Sequence, residues 1–167
     1  MDVATADLCD LAEERGVSVA VVGPVLRSYG GVAAFGGPAA TVAVHEDNVL
    51  VKQALSEPGA GRVLVVHGGA SRRCALLGDK LAAMGVENGW AGVLVWGCIR
   101  DAAVVGTLPL GVMALSTHPR RSVKRGEGTR DELVSFAGLA VRPGDFVYAD
   151  ADGLIVSPEP LHEVDGR

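Results

Sequence analysis

At 167 residues the chain suits one domain, large enough to bury roughly two-thirds of its unfolded surface. With 49% hydrophobic and 21% charged residues it is too apolar for a disordered chain, and its net charge of −5 argues against a general nucleic-acid surface. No apolar run approaches the roughly 18 residues of a membrane span, and no basic-then-apolar leader opens the sequence, so a cytoplasmic protein is expected.

In chain order, Thr5 is expected to cap a helix from Ala6 to about Glu14, closed by Gly16. "VSVAVVGPVL" and "PAATVAVH" are rich in β-branched and small residues and read as strands, with "SYGG" and "FGGP" as turns. Asn48 is the expected cap of a helix "VLVKQALSE", which Pro58 and Gly59 stop. A strand from Arg62 to Gly68 follows, then a helical run from near Ser71 that Gly78 breaks. Asp79 would cap the next helix, Lys80 to Asn88, whose Leu81, Met84 and Val86 share one face and which Gly89 ends. "AGVLVWG" has the composition of a buried strand. The strand–helix–strand unit should be a right-handed crossover between parallel strands.

After Asp101 the pattern gives a brief helix "AAVVG" and a strand "LGVMALS". The last third then changes to short strands, "LVSFAGLAV", "DFVYAD" and "GLIVSP", separated by Pro-Gly and Asp-Gly turns, an antiparallel pattern. No linker or repeat interrupts the chain. The expected architecture is α/β, one mixed domain over residues 1–167, with a βαβ core and an antiparallel layer.

The residues that carry chemistry are Asp79 and the pair Arg100-Asp101, with twenty residues between Asp79 and Arg100. A helix starting at Asp79 aims the free N–H groups of Lys80 and Leu81 outward, a natural seat for a carboxylate. Arg100 and Asp101 follow the C-terminal end of a parallel strand, where open α/β sheets place ligands. One crevice would then offer a carboxylate cradle at Gly78–Leu81, a guanidinium and two carboxylates. These are the parts that hold a small keto acid beside a divalent metal. The plainer alternative is two helix caps and a surface arginine joined by an ion pair.

Other motifs are weaker. "VLVVHGGAS" lacks the G-x-G-x-x-G of a nucleotide loop, "HEDN" lacks the second histidine of a metalloprotease helix, and "DADG" reads as a hairpin turn. Cys9, Cys74 and Cys98 have no metal-ligand spacing and read as free thiols in a reducing compartment. The basic run "HPRRSVKRGEGTRDE" is a solvated loop, an anion-attracting rim or a contact surface for a protein partner.

The D-x20-R-D spacing from "GDKL" to "GCIRD" occurs beside "FGGPAATV", "HEDNVLVKQAL", "HPRRSVKRGEG" and "PGDFVYADADGLIVSP". Together these resemble the RraA-like family over nearly the whole chain. That family joins class II pyruvate aldolases acting on 4-hydroxy-4-methyl-2-oxoglutarate with regulators of ribonuclease E activity. The resemblance implies the swivelling β/β/α fold and a homotrimer with sites near subunit interfaces. It also implies a lyase that releases two pyruvates from that substrate, with oxaloacetate decarboxylation as a side activity. Asp101 would be the ligand of Mg²⁺ or Mn²⁺ and Arg100 would stabilise the enolate oxygen. Asp79 would orient a water for proton transfer. Gly78, Asp79, Lys80, Leu81 and Arg100 would bind the small 2-keto acid. The alternative is a non-catalytic inhibitor with a ribonuclease E-type partner. Regulators of the family often lack the Asp after the Arg, whereas this sequence has Asp101.

Overall fold

Val63, Leu64, Val65 and Val66 are all fully buried, and alternate residues serve opposite faces of a sheet. Leu64 and Val66 join a core of helix-facing side chains, while Val63 and Val65 join a second core on the other face. A strand buried on both sides belongs in the middle of a parallel sheet. The computed structural model, which describes residues 1–162, places it there. The last five residues of the expected 1–167 domain lie outside the described residues.

The elements run α1 (Thr5–Arg15), β1 (Ala20–Val22), β2 (Arg27–Ser28), β3 (Phe35–Ala43), α2 (Val49–Leu55) and β4 (Val63–His67). There follow β5 (Ala75–Leu77), α3 (Asp79–Glu87), β6 (Gly92–Ile99), α4 (Ala102–Val105) and β7 (Gly111–Thr117). The chain closes with β8 (Thr129–Arg130), β9 (Val134–Phe136), β10 (Leu139–Val141), β11 (Phe146–Asp150) and β12 (Gly153–Ser157). Strands β3, β4, β6 and β7 are parallel neighbours in that order. Antiparallel β11, β12 and β1 extend the sheet from β3, and β2 pairs with the outer edge of β7. Helices α2, α3 and α4 supply Leu55, Ala82 and Val105 to one core. The β9–β10 hairpin supplies Val134, Phe136, Leu139 and Val141 to the other. The mixed α/β class, with its parallel centre and antiparallel layer, is as expected.

Several local expectations change. "FGGP" is the start of β3 and pairs with β11. Its glycines serve close approach, because a Cβ on Gly37 would strike the Gly61 carbonyl oxygen and one on Gly36 would meet Tyr148. "VSVAVVGPVL" contributes only the three residues of β1, then breaks at Gly23 and Pro24. Ala4, not Thr5, is the cap of α1; the Thr5 hydroxyl and N–H both donate to Asp150, at 2.6 and 2.8 Å. "LVSFAGLAV" is a hairpin, turned by Ala137 and Gly138 at φ 50° and 77°, the positive values a two-residue turn needs.

The change that matters most for the site lies between Ser71 and Gly78. No helix forms there. The chain leaves β4 at Gly68, where a Cβ would sit 2.6 Å from the Leu76 side chain, and turns through Gly69 and Ala70 at positive φ. It then returns as β5 beside the second half of β6, with Ala75 opposite Cys98 and Leu77 opposite Ile99. Strands β5 and β6 therefore end side by side.

Candidate active site

Arg100 N–H donates to the Leu77 carbonyl at 2.9 Å, so the two strand exits are joined by a backbone hydrogen bond. Each exit starts a helix within two residues. Gly78, in extended conformation, is the N-cap of α3 and Asp101 is the N-cap of α4. Asp79 is thus the first residue of its helix and not the cap, because the extended backbone that a cap requires falls on Gly78. Asp101 adopts the left-handed conformation (φ 55°, ψ 38°), which Asp tolerates but which costs roughly 1 kcal/mol or more. Strain of that kind is retained where a side chain must be aimed.

The Asp101 side chain is aimed at the start of α3. Its Oδ2 accepts the Asp79 N–H at 3.2 Å and lies 4.0 Å from Arg100 Nε. Both side chains remain about 40% exposed, leaving room for a ligand on their open side. Gly78 makes the arrangement feasible, since a Cβ there would sit 2.7 Å from Asp101 Oδ2 and 3.3 Å from Arg100 Cγ. The Lys80 N–H is not vacant as the sequence implied. It donates to Asp79 Oδ1 at 2.8 Å, so a carboxylate oxygen already occupies half of the expected cradle.

Gly78, Asp79, Lys80, Leu81, Arg100 and Asp101 all line one cavity of about 340 Å³. Four further polar lining residues were not singled out as site residues by sequence: Asn48, Lys52, Arg121 and Lys124. Arg121 and Lys124 lie in the basic run, so for these two the anion-attracting rim describes the geometry better than a solvated loop. Asn48 and Lys52 stand one helical turn apart at the start of α2, a spacing that puts them on one face. Asn48 Oδ1 accepts from Lys124 Nζ at 3.1 Å, and its Nδ2 donates to the Leu76 carbonyl at 3.3 Å. Asn48 is the N-cap of α2 as expected, but its side chain makes no capping hydrogen bond; the Val49 N–H donates instead to Asp47 Oδ1 at 3.0 Å.

Asp47 is only 1% exposed. Its Oδ2 accepts the N–H groups of Arg125 and Glu127 at 2.9 and 3.2 Å. Burial pushes this carboxyl upward, but the N–H groups of Val49, Arg125, Glu127 and Gly126 together hold it below its ordinary value of 3.8. One buried carboxylate therefore fastens the basic loop to the start of α2.

The donor set suits a hard cation. Among the described residues no group of three or more His, Cys, Asp or Glu side chains is arranged to enclose a metal. Mg²⁺ and Mn²⁺ are commonly held by one or two carboxylates, with water and ligand oxygens completing the shell. Asp101 Oδ1, which accepts no hydrogen bond among the described residues, could serve as such a donor, with Asp79 beside it.

The remaining motifs have structural roles. Cys98 is fully buried and burial pushes its thiol upward, as it does for Cys74, so neither is an activated nucleophile. Glu46 of "HEDN" is paired with Arg73 and Ser71. Asp150 of "DADG" accepts from Thr5 and the Asp152 N–H. His118 Nδ1 accepts the Arg120 N–H at 3.1 Å, and the residue does not line the cavity.

Residues 5–156 match the RraA-like family model, described as Aldolase/RraA. The chain belongs to the RraA-like family. A relative from Laribacter hongkongensis, named "Putative 4-hydroxy-4-methyl-2-oxoglutarate aldolase", is 57% identical over 96% of this chain and 99% of its own length. One of the same name from Alkalilimnicola ehrlichii is 55% identical over 96% and 98%. Among solved structures, the RNA-processing inhibitor RraA from Thermus thermophilis superposes with a TM-score of 0.92 at 44% identity, over 99% of this chain and 98% of that one. A structure from Geobacillus kaustophilus named as an S-adenosylmethionine:2-dimethylmenaquinone methyltransferase gives 0.91 at 50% identity, over 95% and 97%. RraA-like proteins thus carry aldolase, inhibitor and methyltransferase names on one fold. No helix among the described residues is long and apolar enough to cross a membrane.

Proposed function

We propose that this RraA-like protein is a divalent-metal-dependent lyase that cleaves 4-hydroxy-4-methyl-2-oxoglutarate into two pyruvates. The observation that carries the reading is the meeting of Asp101, Arg100 and the start of α3 in one cavity. The aldolase names of relatives above 50% identity support the substrate. Asp101, with Asp79 in reach, would hold Mg²⁺ or Mn²⁺, which when bound supplies Lewis-acid stabilisation of negative charge at the 2-keto oxygen.

The chain's own groups do the rest. The substrate's C1 carboxylate takes the N–H groups of Lys80 and Leu81, displacing Asp79 Oδ1 from Lys80. The freed Asp79 carboxylate orients a water that accepts the proton of the C4 hydroxyl. As the C3–C4 bond breaks, its electron pair moves toward C2 and the first pyruvate leaves with a C4 carbonyl. Arg100 faces the oxygen of the remaining pyruvate enolate, where charge is greatest. The same water returns a proton to the enolate methylene, giving the second pyruvate. Oxaloacetate loses CO₂ through the same enolate, so its decarboxylation is expected as a side activity.

The test is pyruvate release from 4-hydroxy-4-methyl-2-oxoglutarate with Mg²⁺ or Mn²⁺, and again after chelation. Full activity surviving the chelator sinks the metal role, and no release under any condition sinks the lyase. A homotrimer in the cytoplasm belongs to the same reading; a monomer mass by light scattering contradicts it.

The 0.92 superposition on an RNA-processing inhibitor favours a second reading, a ribonuclease E-type protein partner bound without chemistry. Capture by a ribonuclease E scaffold segment, run beside the pyruvate assay, separates the two, and both can hold if the contact surface lies away from the cavity.

A further inference from the structure

The cavity carries more positive charge than a pyruvate unit uses. Five cationic side chains, Lys52, Lys80, Arg100, Arg121 and Lys124, face it against the two carboxylates Asp79 and Asp101, in a chain whose net charge is −5. Among the described residues, Lys52, Arg121 and Lys124 form no ion pair, although Glu46 and Glu57 each hold an arginine elsewhere. The three do not stand on the wall that holds Arg100 and Asp101. Lys52 comes from α2, and Arg121 and Lys124 from the loop between β7 and β8.

That loop is built into the fold. The Arg120 carbonyl accepts the Ala75 N–H at 2.8 Å, and Arg121 bridges to Ala75 at the start of β5. Asp47 ties Arg125 and Glu127 to the start of α2, and Asn48 steadies Lys124. Lys52, Arg121 and Lys124 are exposed, so water screens part of their mutual repulsion, and an anion among them relieves the rest. The C1 carboxylate is already served by the start of α3 and the 2-keto oxygen by Arg100. A second anionic group on the ligand remains to be matched.

We propose that Lys52 and Arg121, with Lys124 beside them, bind the distal carboxylate of a five-carbon 2-keto dicarboxylate and so set the enzyme's preference for dicarboxylic over monocarboxylic keto acids. The assignment rests on the keto-acid reading of the other wall. Guanidinium and ammonium groups recognise a carboxylate by charge-assisted hydrogen bonds, stronger than neutral ones. A ligand that ends in methyl leaves both cations unmatched.

Two non-cleavable ligands of equal chain length isolate this contact: 2-oxoglutarate, with a distal carboxylate, and 2-oxovalerate, with a methyl in its place. Calorimetry on the full chain with Mg²⁺ should show 2-oxoglutarate binding about tenfold to a hundredfold more tightly. The Lys52→Gln/Arg121→Gln double variant should bring the ratio of the two Kd values close to one, and Lys52→Arg/Arg121→Lys should keep most of it. No preference in the wild type, or a ratio that the glutamine variant leaves intact, overturns the proposal. Pyruvate release measured on the same preparations separates the two ideas. A ratio lost in the glutamine variant with no lyase activity in the wild type upholds the carboxylate site and removes the lyase, while wild-type lyase activity with an unmoved ratio does the reverse.

Discussion

The wall that carries Gly78, Asp79, Arg100 and Asp101 consists of two parallel strand ends, each running straight into a helix. The other part of the lining, with Lys52, Arg121 and Lys124, joins a helix to a loop; Asn48 and Lys124, which hydrogen-bond across it, are 76 positions apart. In the first wall the sheet itself fixes the distances, through the Arg100–Leu77 hydrogen bond and the pairing of β5 with β6. In the second wall the fastening comes from the buried Asp47 carboxylate together with the backbone hydrogen bond from Ala75 to the Arg120 carbonyl. On the proposed reading, the difference assigns chemistry that demands fixed geometry to the sheet edge and recognition of a distant charge to side chains on a tethered loop.

The sharpest way to break this division is to remove Arg100. If the proposed lyase reading holds, Arg100→Ala takes a charge from the oxygen where the transition state builds it, so turnover should fall about 10²–10³-fold with smaller change in KM. Steady-state kinetics on 4-hydroxy-4-methyl-2-oxoglutarate reads both values. Next comes Gly78→Ala. Its φ of −131° accepts any residue, so the fold should survive, but the new Cβ must displace the Asp101 carboxylate or Arg100. Misplacing such groups by a fraction of an ångström to one ångström lowers the rate by as much as about 10²-fold. An unchanged rate in that variant would show that the close packing of Gly78 against Asp101 has no catalytic purpose.

Asp47→Asn tests the other wall. The amide nitrogen of Asn cannot accept, so backbone N–H groups of the loop lose a partner in a site only 1% exposed, at a cost of about 1–3 kcal/mol. The pH dependence has a definite sign. The Asp47 carboxyl is held below its ordinary value of 3.8 in the folded protein, so the unfolded chain binds the proton more readily. The stability it contributes is complete above that ordinary value and is lost as pH falls through the lower, folded value. Chemical denaturation of wild type and variant should therefore differ most at neutral pH and converge in acid. A variant with unaltered midpoint at pH 7 would show that the loop needs no fastening.

Much of the first wall was legible in the sequence because it follows from hydrophobic continuity and chain order. The apolar run Ala91–Gly97 read as a buried strand, which in the structure continues to Ile99, the Leu81, Met84 and Val86 stripe read as a helix, and parallel pairing then brought the ends together. The three residues of β5 were not legible, since so short a strand carries no period, and the preceding "SRRC" offers no β signal. "FGGP" misled because glycine marks either a turn or a close approach, and only the position of the Gly61 carbonyl decides which. Lys52 carried no local sign of a site, and for Arg121 the basic run offered an anion-attracting rim only as one of three readings. Their meaning depends on a loop returning to α2, a contact that no window of sequence contains.

The basic run contains its own control for that last point. Arg130 belongs to the same stretch as Arg121 and Lys124, yet its two terminal nitrogens each donate to a Glu57 carboxylate oxygen at 2.8 Å. The pair is partly exposed, at 23% for Arg130 and 47% for Glu57, so water screens much of its attraction. Glu57→Gln should lower stability by less than about 1 kcal/mol and leave both pyruvate release and the 2-oxoglutarate preference as they are. Thermal denaturation and the calorimetric ratio measure the two consequences. A loss of dicarboxylate preference in Glu57→Gln would mean that the charge of the whole run, and not the placement of Lys52 and Arg121, attracts the ligand.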